Sequence, residues 1–175
     1  LQVPREKIFV LAHHTTHAYA TCFNLPQDKK TLILTLDGEG GGLCATVNMY
    51  DGQNIEKISE TPQDSSLGGL YLQATVFLGM RPLEHEFKVM GLAPYAKHDK
   101  VFEAYKKLRE LFYIDENLVF HSKFSMRFVD NFFRNEMKFV RFDTFAGSVQ
   151  MLTEELVCEW VKKAIHKTGV NDLAL

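Results

Sequence analysis

The chain has no run of about 18 uncharged apolar residues, so it offers no membrane-spanning helix, and its opening "LQVPREK" lacks the charged-then-apolar pattern of a secretory leader. Cysteine is scarce. Cys22, Cys44 and Cys158 are odd in number, widely spaced and without a CxxC pair, which argues against a disulfide framework or a thiolate zinc site and leaves them as small core residues. An excess of one charge is also missing: 20 Lys and Arg against 22 Asp and Glu give a net charge of -2. A nucleic-acid groove needs a basic face to neutralise phosphates, and none is visible. GxSxG, P-loop and HExxH signatures are absent, which disfavours a serine hydrolase, a Walker-type nucleotide enzyme and a zinc protease. The expectation is a cytoplasmic protein that engages neither membrane nor nucleic acid.

What is there suits one globular domain: 175 residues, 46% apolar and 24% charged, enough to bury one good core. The chain starts without methionine and stops at "VNDLAL", which reads as a strand cut off at its last residue, so a segment of a longer protein is expected. "KIFVLA" (7–12) reads as a short buried strand, and "HHTTHAYATCFNL" has helical spacing, with His13, His17 and Ala20 or Thr21 on one face. "TLILTLDG", "GLCATVNMYDG" and "QNIEKISETP" predict a three-stranded meander joined by a glycine turn and an Asp-Gly turn. "SSLGGLYLQATVFLG" predicts a helix capped by Ser65 or Ser66 and ended by Gly79. Pro82, Gly91 and Pro94 predict an ordered loop over "MRPLEHEFKVMGLAPYAK". Residues 99–113 predict an amphipathic helix, 115–140 an aromatic-rich stretch with another, and 143–169 a long helix with Phe145, Val149, Leu152, Leu156 and Trp160 on its stripe, closed by Gly169. The fold class is α/β or α+β with a mixed sheet.

The chemistry-bearing residues cluster early. On a helix, residues four apart stand one above the other, so His13 and His17 can share one metal ion while His14 points about 100° away. Two neutral imidazoles make a weak site; an anionic third ligand is expected, and Asp37, at a strand end, is the candidate. An HxxxH pair alone is more often helix decoration, and a DG turn alone is mostly a hairpin. In "LDGEGGG" the glycines let backbone amides approach phosphate oxygens while the acid holds a metal. Lys88, on the interrupted stretch, suits a phosphate or carbamoyl-type oxygen, or is simply exposed. Asp143 caps the long helix beside a solvated Arg141; His85, His98, His121 and His166 show no partner pattern and read as surface residues.

The blocks "HHTTHAYAT", "LTLDGEGGG", "SLGGLYLQATVFLGMRPLEHEFKVMGLAPYA" and "TFAGSVQMLTEELVCEWVKKAIHKTGVNDLAL" together resemble the O-carbamoyltransferases of the nodulation and antibiotic-tailoring type, such as those that modify tobramycin and cephamycin. The resemblance implies an actin/Hsp70-like (ribonuclease H-like) duplicated fold, of which residues 1–175 are a central segment of the N-terminal domain, with a helical insertion at 98–140 and with a separate carbamoyl-adenylate-forming domain outside them. It implies that His13, His17 and Asp37 bind a divalent ion, iron before manganese or zinc; that Gly38, Gly40 and Gly41 approach ATP or carbamoyl adenylate made from carbamoyl phosphate; and that Lys88 serves the carbamoyl or phosphate end. His14 would be a base or an acceptor contact, and Asp37 would also take part in the chemistry. The partners implied are a small-molecule hydroxyl acceptor and the rest of the chain, with a homodimer as an open arrangement. The family's further metal-binding acid and its glycine-rich turn beyond "LAL" have no counterpart here, so the segment alone is expected to be inactive. Two alternatives remain: a threonylcarbamoyl-transfer or hydrogenase-maturation relative, and a non-catalytic module of the same fold.

Overall fold

In the computed structural model, which describes residues 3–175, β1 (Thr31–Gly40), β2 (Leu43–Tyr50) and β3 (Ile55–Pro62) form the expected antiparallel meander. Gly41 and Gly42 turn the first hairpin at φ +63° and +85°, a backbone conformation that glycine alone adopts cheaply at consecutive positions. "NDLAL" supplies β6 (Leu173–Ala174), which lies parallel to β1 and completes the order β3-β2-β1-β6. The sheet is therefore mixed and the fold is α/β.

Because side chains alternate along a strand, Leu32 and Leu34 enter the main core while Ile33 joins a smaller cluster on the opposite face. The main core is closed by α2 (Leu67–Phe77) and by α6 (Phe142–Thr168). Helix α2 starts at Ser66, whose Oγ accepts from Gly69 N at 2.9 Å, and is followed by left-handed Gly79. Helix α6 buries the stripe read from its period, Phe145, Val149, Leu152, Leu156 and Trp160, and ends at left-handed Gly169. Asp143 serves its first turn, accepting from Thr144 N (2.7 Å) and pairing with Arg141 (2.9 Å), while Arg141 itself is the N-cap. On the other face of the sheet lies α1 (His13–Cys22), with Ala18 against Ile33 and Tyr50.

Several expectations are corrected. Residues 7–12 are not a strand: after a 3₁₀ turn at Arg5–Lys7 the chain runs irregularly with Ile8, Phe9, Val10 and Leu11 exposed. An apolar run becomes a strand only where a ladder partner exists, and among the described residues the free side of β1 is taken by β6. The 80–97 stretch is less irregular than its breakers suggest. It contains α3 (Glu86–Leu92), with Gly91 in its last turn, and then a 3₁₀ turn at Ala93–Tyr95 where Pro94 sits in the first turn and its missing N–H costs nothing. Between α4 (His98–Arg109) and α5 (Val129–Glu136) a short hairpin intervenes, β4 (Phe112–Ile114) with β5 (Phe120–Ser122). Cys44 is buried as expected, but Cys22 is only half-buried and Cys158 is exposed. His121 does have partners: its Nε2 lies 3.0 Å from Asp115 and its ring stacks on Tyr113. Among the described residues no helix is long and apolar enough to cross a membrane.

The α4–α6 contact carries a charge network. Arg109 Nε lies 2.9 Å from Glu155 and its Nη2 2.9 Å from Glu159, while Tyr105 donates to Glu155. The tyrosine hydrogen bond, then Arg109, holds the Glu155 carboxyl below its usual range, and burial followed by the Glu155 contact pushes Tyr105 up to about 12. A depressed carboxyl stabilises the fold above its unfolded value, about 4.3, and that contribution is lost as pH falls through the lower folded value. Glu155 is nearly half exposed, so under about 1 kcal/mol is expected. Urea unfolding of Glu155→Gln should accordingly show a smaller stability loss between pH 6 and pH 3 than the parent; an equal loss would remove Glu155 from the network's account.

Candidate metal centre

Helical phase and strand register bring three side chains to one point. Successive residues of β1 on the α1 face are Thr31, Ile33, Thr35 and Asp37, and α1 crosses that face with His13 and His17 one turn apart. His13 Nε2 lies 2.7 Å from Asp37 Oδ2, His17 Nε2 lies 3.0 Å from His13 Nε2, and His17 Nε2 lies 3.6 Å from Asp37 Oδ2. All three candidate ligand atoms fall within 4.8 Å of one another. Asp37 Oδ1 is fixed separately by Gly38 N–H at 2.6 Å. The His13 hydrogen bond, aided by that of Gly38 and opposed by burial, holds the Asp37 carboxyl below its usual range.

The donor set fits a cation. A nitrogen with one hydrogen cannot satisfy a carboxylate and a second imidazole at once, yet His13 Nε2 is within hydrogen-bond distance of both. Three lone pairs aimed at one spot are what a metal needs, and donors at right angles around an ion with bonds of about 2.1 Å stand roughly 3 Å apart. Two imidazoles and a carboxylate suit iron(II), manganese or zinc. The side chains of His13 and Asp37 are each 41% exposed, which leaves room for further ligands.

Two glycines set the walls. A Cβ on Gly40 would stand 2.0 Å from Cδ2 of His13, so the ring lies directly on that backbone. A Cβ on Gly68 would stand 2.7 Å from Gly38 Cα, so the start of α2 abuts the strand turn; Ser66 Oγ clamps the same place by donating to Gly38 O at 2.6 Å. Gly38, Gly68 and Gly69 then floor a cleft of about 540 Å³ that opens beside Asp37 and is rimmed by Glu39, Gln63, Asp64 and Arg127. A second hollow, of about 580 Å³, adjoins the other side of Asp37 with His17 and Thr21 in its wall.

The remaining site residues fall into place or outside it. Gly38 lines the cleft, Gly40 lies beneath His13, and Gly41 makes the hairpin turn. Lys88 is not brought to the centre. It stands exposed on α3, its Nζ 5.8 Å from the Phe87 ring, because that segment is a helix with Glu86 rather than Lys88 turned to the cleft. His14 is off the metal face, as its phase requires, but it is buried instead of open to an acceptor: Nδ1 lies 2.7 Å from Thr35 Oγ1 and Nε2 3.1 Å from Leu43 O. Neither nitrogen is free to take a proton from an acceptor. Sequence reasoning missed Gly68 and Ser66 as site residues; the only signal was the "SSLGGL" doublet.

Fold and site together define a mixed α/β domain in which two histidines and a carboxylate meet, the carboxylate lining a glycine-floored cleft. The chain belongs to the family described as Carbamoyltransferase N-terminus, matched over residues 2–175. It is 34% identical over 110 residues to Nodulation protein NolNO of Sinorhizobium fredii, covering 61% of this chain and 16% of that protein. To Nodulation protein NolO of Bradyrhizobium diazoefficiens it is 33% identical over 99 residues, 57% of this chain and 18% of the relative. An uncharacterized protein of Methanocaldococcus jannaschii is 29% identical over 154 residues, 72% of this chain and 30% of its own length. The chain thus spans less than a third of these relatives.

Proposed function

We propose that this chain is the metal-bearing part of a cytoplasmic O-carbamoyltransferase, in which a carbamoyl group passes from carbamoyl adenylate, made from ATP and carbamoyl phosphate, to a hydroxyl of a small-molecule acceptor. The observation that carries it is the convergence of His13, His17 and Asp37, the last of which lines the cleft, in a chain of this family. The acceptor oxygen bonds to the carbamoyl carbon, the bond from that carbon to the adenylate phosphate oxygen breaks, and the hydroxyl proton is lost to solvent or a base. A divalent ion held by the three side chains would supply Lewis-acid stabilisation of the charge left on phosphate. Gly38, with Gly68 and Gly69 behind it, leaves the backbone bare enough for a phosphate to approach closely. Gln63, Asp64 and Arg127 on the rim provide hydrogen-bonding groups for a polar acceptor. Lys88, exposed on α3 and outside the cleft lining, is given no part in this step.

The mixed sheet with helices on both faces is compatible with one half of an actin/Hsp70-like pair, and we assign it so. Since the relatives are much longer, the adenylate-forming step is assigned to residues outside 1–175, and the segment alone is proposed to be inactive. The test is elemental analysis of the full-length protein beside a His13→Ala, His17→Ala double variant, with carbamoyl transfer assayed in both. Stoichiometric iron, manganese or zinc in the parent, and loss of metal and transfer together in the variant, is the expected result. Transfer by a metal-free variant would end the metal assignment, and a metal-loaded parent without transfer would favour a binding module.

A further inference from the structure

We propose that His14 and the polar ladder behind it, Thr35, Thr46 and Asn48, are positioning residues that hold the His13 and His17 side chains against Asp37. The proposal rests on the metal centre described above, and it reassigns a histidine that faces no substrate.

Helix α1 has little else to hold it. It lacks a side-chain cap at Ala12, and its buried residues are only His14 and Ala18. Its attachment to the sheet therefore rests on two side chains, Ala18 packed against Ile33 and Tyr50, and His14, which lies between the two ligands and makes buried polar contacts with the sheet. His14 Nε2 is 3.1 Å from Leu43 O, and a carbonyl can only accept, so Nε2 carries the hydrogen. With a single hydrogen on the ring, Nδ1 is then a lone pair to which Thr35 Oγ1, at 2.7 Å, donates. Thr35 in turn accepts from Thr46 Oγ1 at 2.7 Å, and Thr46 accepts from Asn48 Nδ2 at 2.8 Å, whose second hydrogen goes to Ile33 O at 3.1 Å. Thr35 and Thr46 are direct cross-strand partners, as are Ile33 and Asn48, and all four polar side chains are buried. With one hydrogen on the His14 ring, every hydrogen in the ladder has one acceptor, which fixes its direction.

The geometric consequence is specific. Asp37 stands two residues beyond Thr35 on the same face of β1, so the ladder ties the strand carrying the third ligand to the helix carrying the first two. Hydrogen-bonded groups behind metal ligands commonly set affinity by orienting them.

Thr46 is the place to test this, because it touches none of the three ligands and valine has nearly its shape. In the full-length protein, calorimetric titration with zinc(II) is expected to show Thr46→Val binding at least about tenfold more weakly, with Thr46→Ser restoring affinity close to the parent's. A purely structural role predicts something else: Thr46→Val melts earlier but, while folded, binds zinc(II) like the parent, which would overturn the proposal. A parent that takes up no zinc(II) would sink the metal reading instead. Imidazole nitrogen–proton NMR would then decide positioning, with His14 expected as the Nε2–H tautomer and the His13 and His17 ring signals expected to move in Thr46→Val but not in Thr46→Ser. Unmoved rings, or an Nδ1–H tautomer at His14, would overturn it.

Discussion

Trp160→Ala should lower stability by about 3–5 kcal/mol, a large share of the roughly 5–15 kcal/mol that holds a typical domain folded. Trp160 is fully buried in α6, packs against Phe120 at 5.1 Å between ring centroids, and donates from Nε1 to Leu118 O at 2.8 Å. The variant would lose that packing and also leave a buried carbonyl without its partner. A further reason for a large effect lies in Leu118, which is buried at φ +67°, a conformation uncommon for a residue with a side chain. It is kept there from two sides, by Trp160 and by the Asp115 turn, whose Oδ1 accepts from Asn117 N and Val119 N. Removing the indole releases the β4–β5 hairpin as well as opening a void. Urea unfolding of the variant measures the total; a loss under about 1 kcal/mol would show that the hairpin and α6 are not coupled. Trp160→Phe should keep most of the packing and lose about 1–3 kcal/mol from the orphaned carbonyl.

The part of the fold that was legible in the sequence is the part built on long patterns. Helix α6 spans 27 residues, so its apolar period repeats often enough to fix both its face and its end at Gly169. The meander was legible because its strands are short runs rich in branched and apolar residues and each turn carries its own glycine signal. Residues 7–12 were misread for the opposite reason: an apolar run states that burial is favourable but says nothing of which edge is available. Strands β4 and β5 have three residues each, too few for any period. At the site, the spacing of His13 and His17 and the acid at Asp37 were readable because helical phase is a local property. The burial of His14 was not. Its partners Thr35 and Thr46 lie on other elements, and only the strand register that sets Thr35 opposite Thr46 reveals that three polar residues in apolar surroundings satisfy one another.

Gly40→Ala should impair the metal centre far more than the fold, whereas Gly68→Ala should do the reverse. At Gly40 the added methyl would meet Cδ2, Cγ and Nε2 of His13 at 2.0, 2.3 and 2.7 Å. An imidazole can swing away about its side-chain torsions, so the helix survives, but the ring can no longer reach Asp37 and His17 together. Zinc(II) affinity is therefore expected to fall at least about tenfold, with a stability change at the low end of the roughly 1–3 kcal/mol typical of overpacking. At Gly68 the obstacle is the Gly38 backbone, Cα at 2.7 Å and N at 3.0 Å, and no torsion moves it. That variant must separate α2 from β1, and it should show the larger loss in thermal unfolding. Comparing the two by calorimetric zinc(II) titration and by thermal melts separates contact with the ligand from contact with the frame. If Gly40→Ala binds zinc(II) as tightly as the parent, then His13 does not need the place it occupies over the strand, and its role as a ligand falls with it.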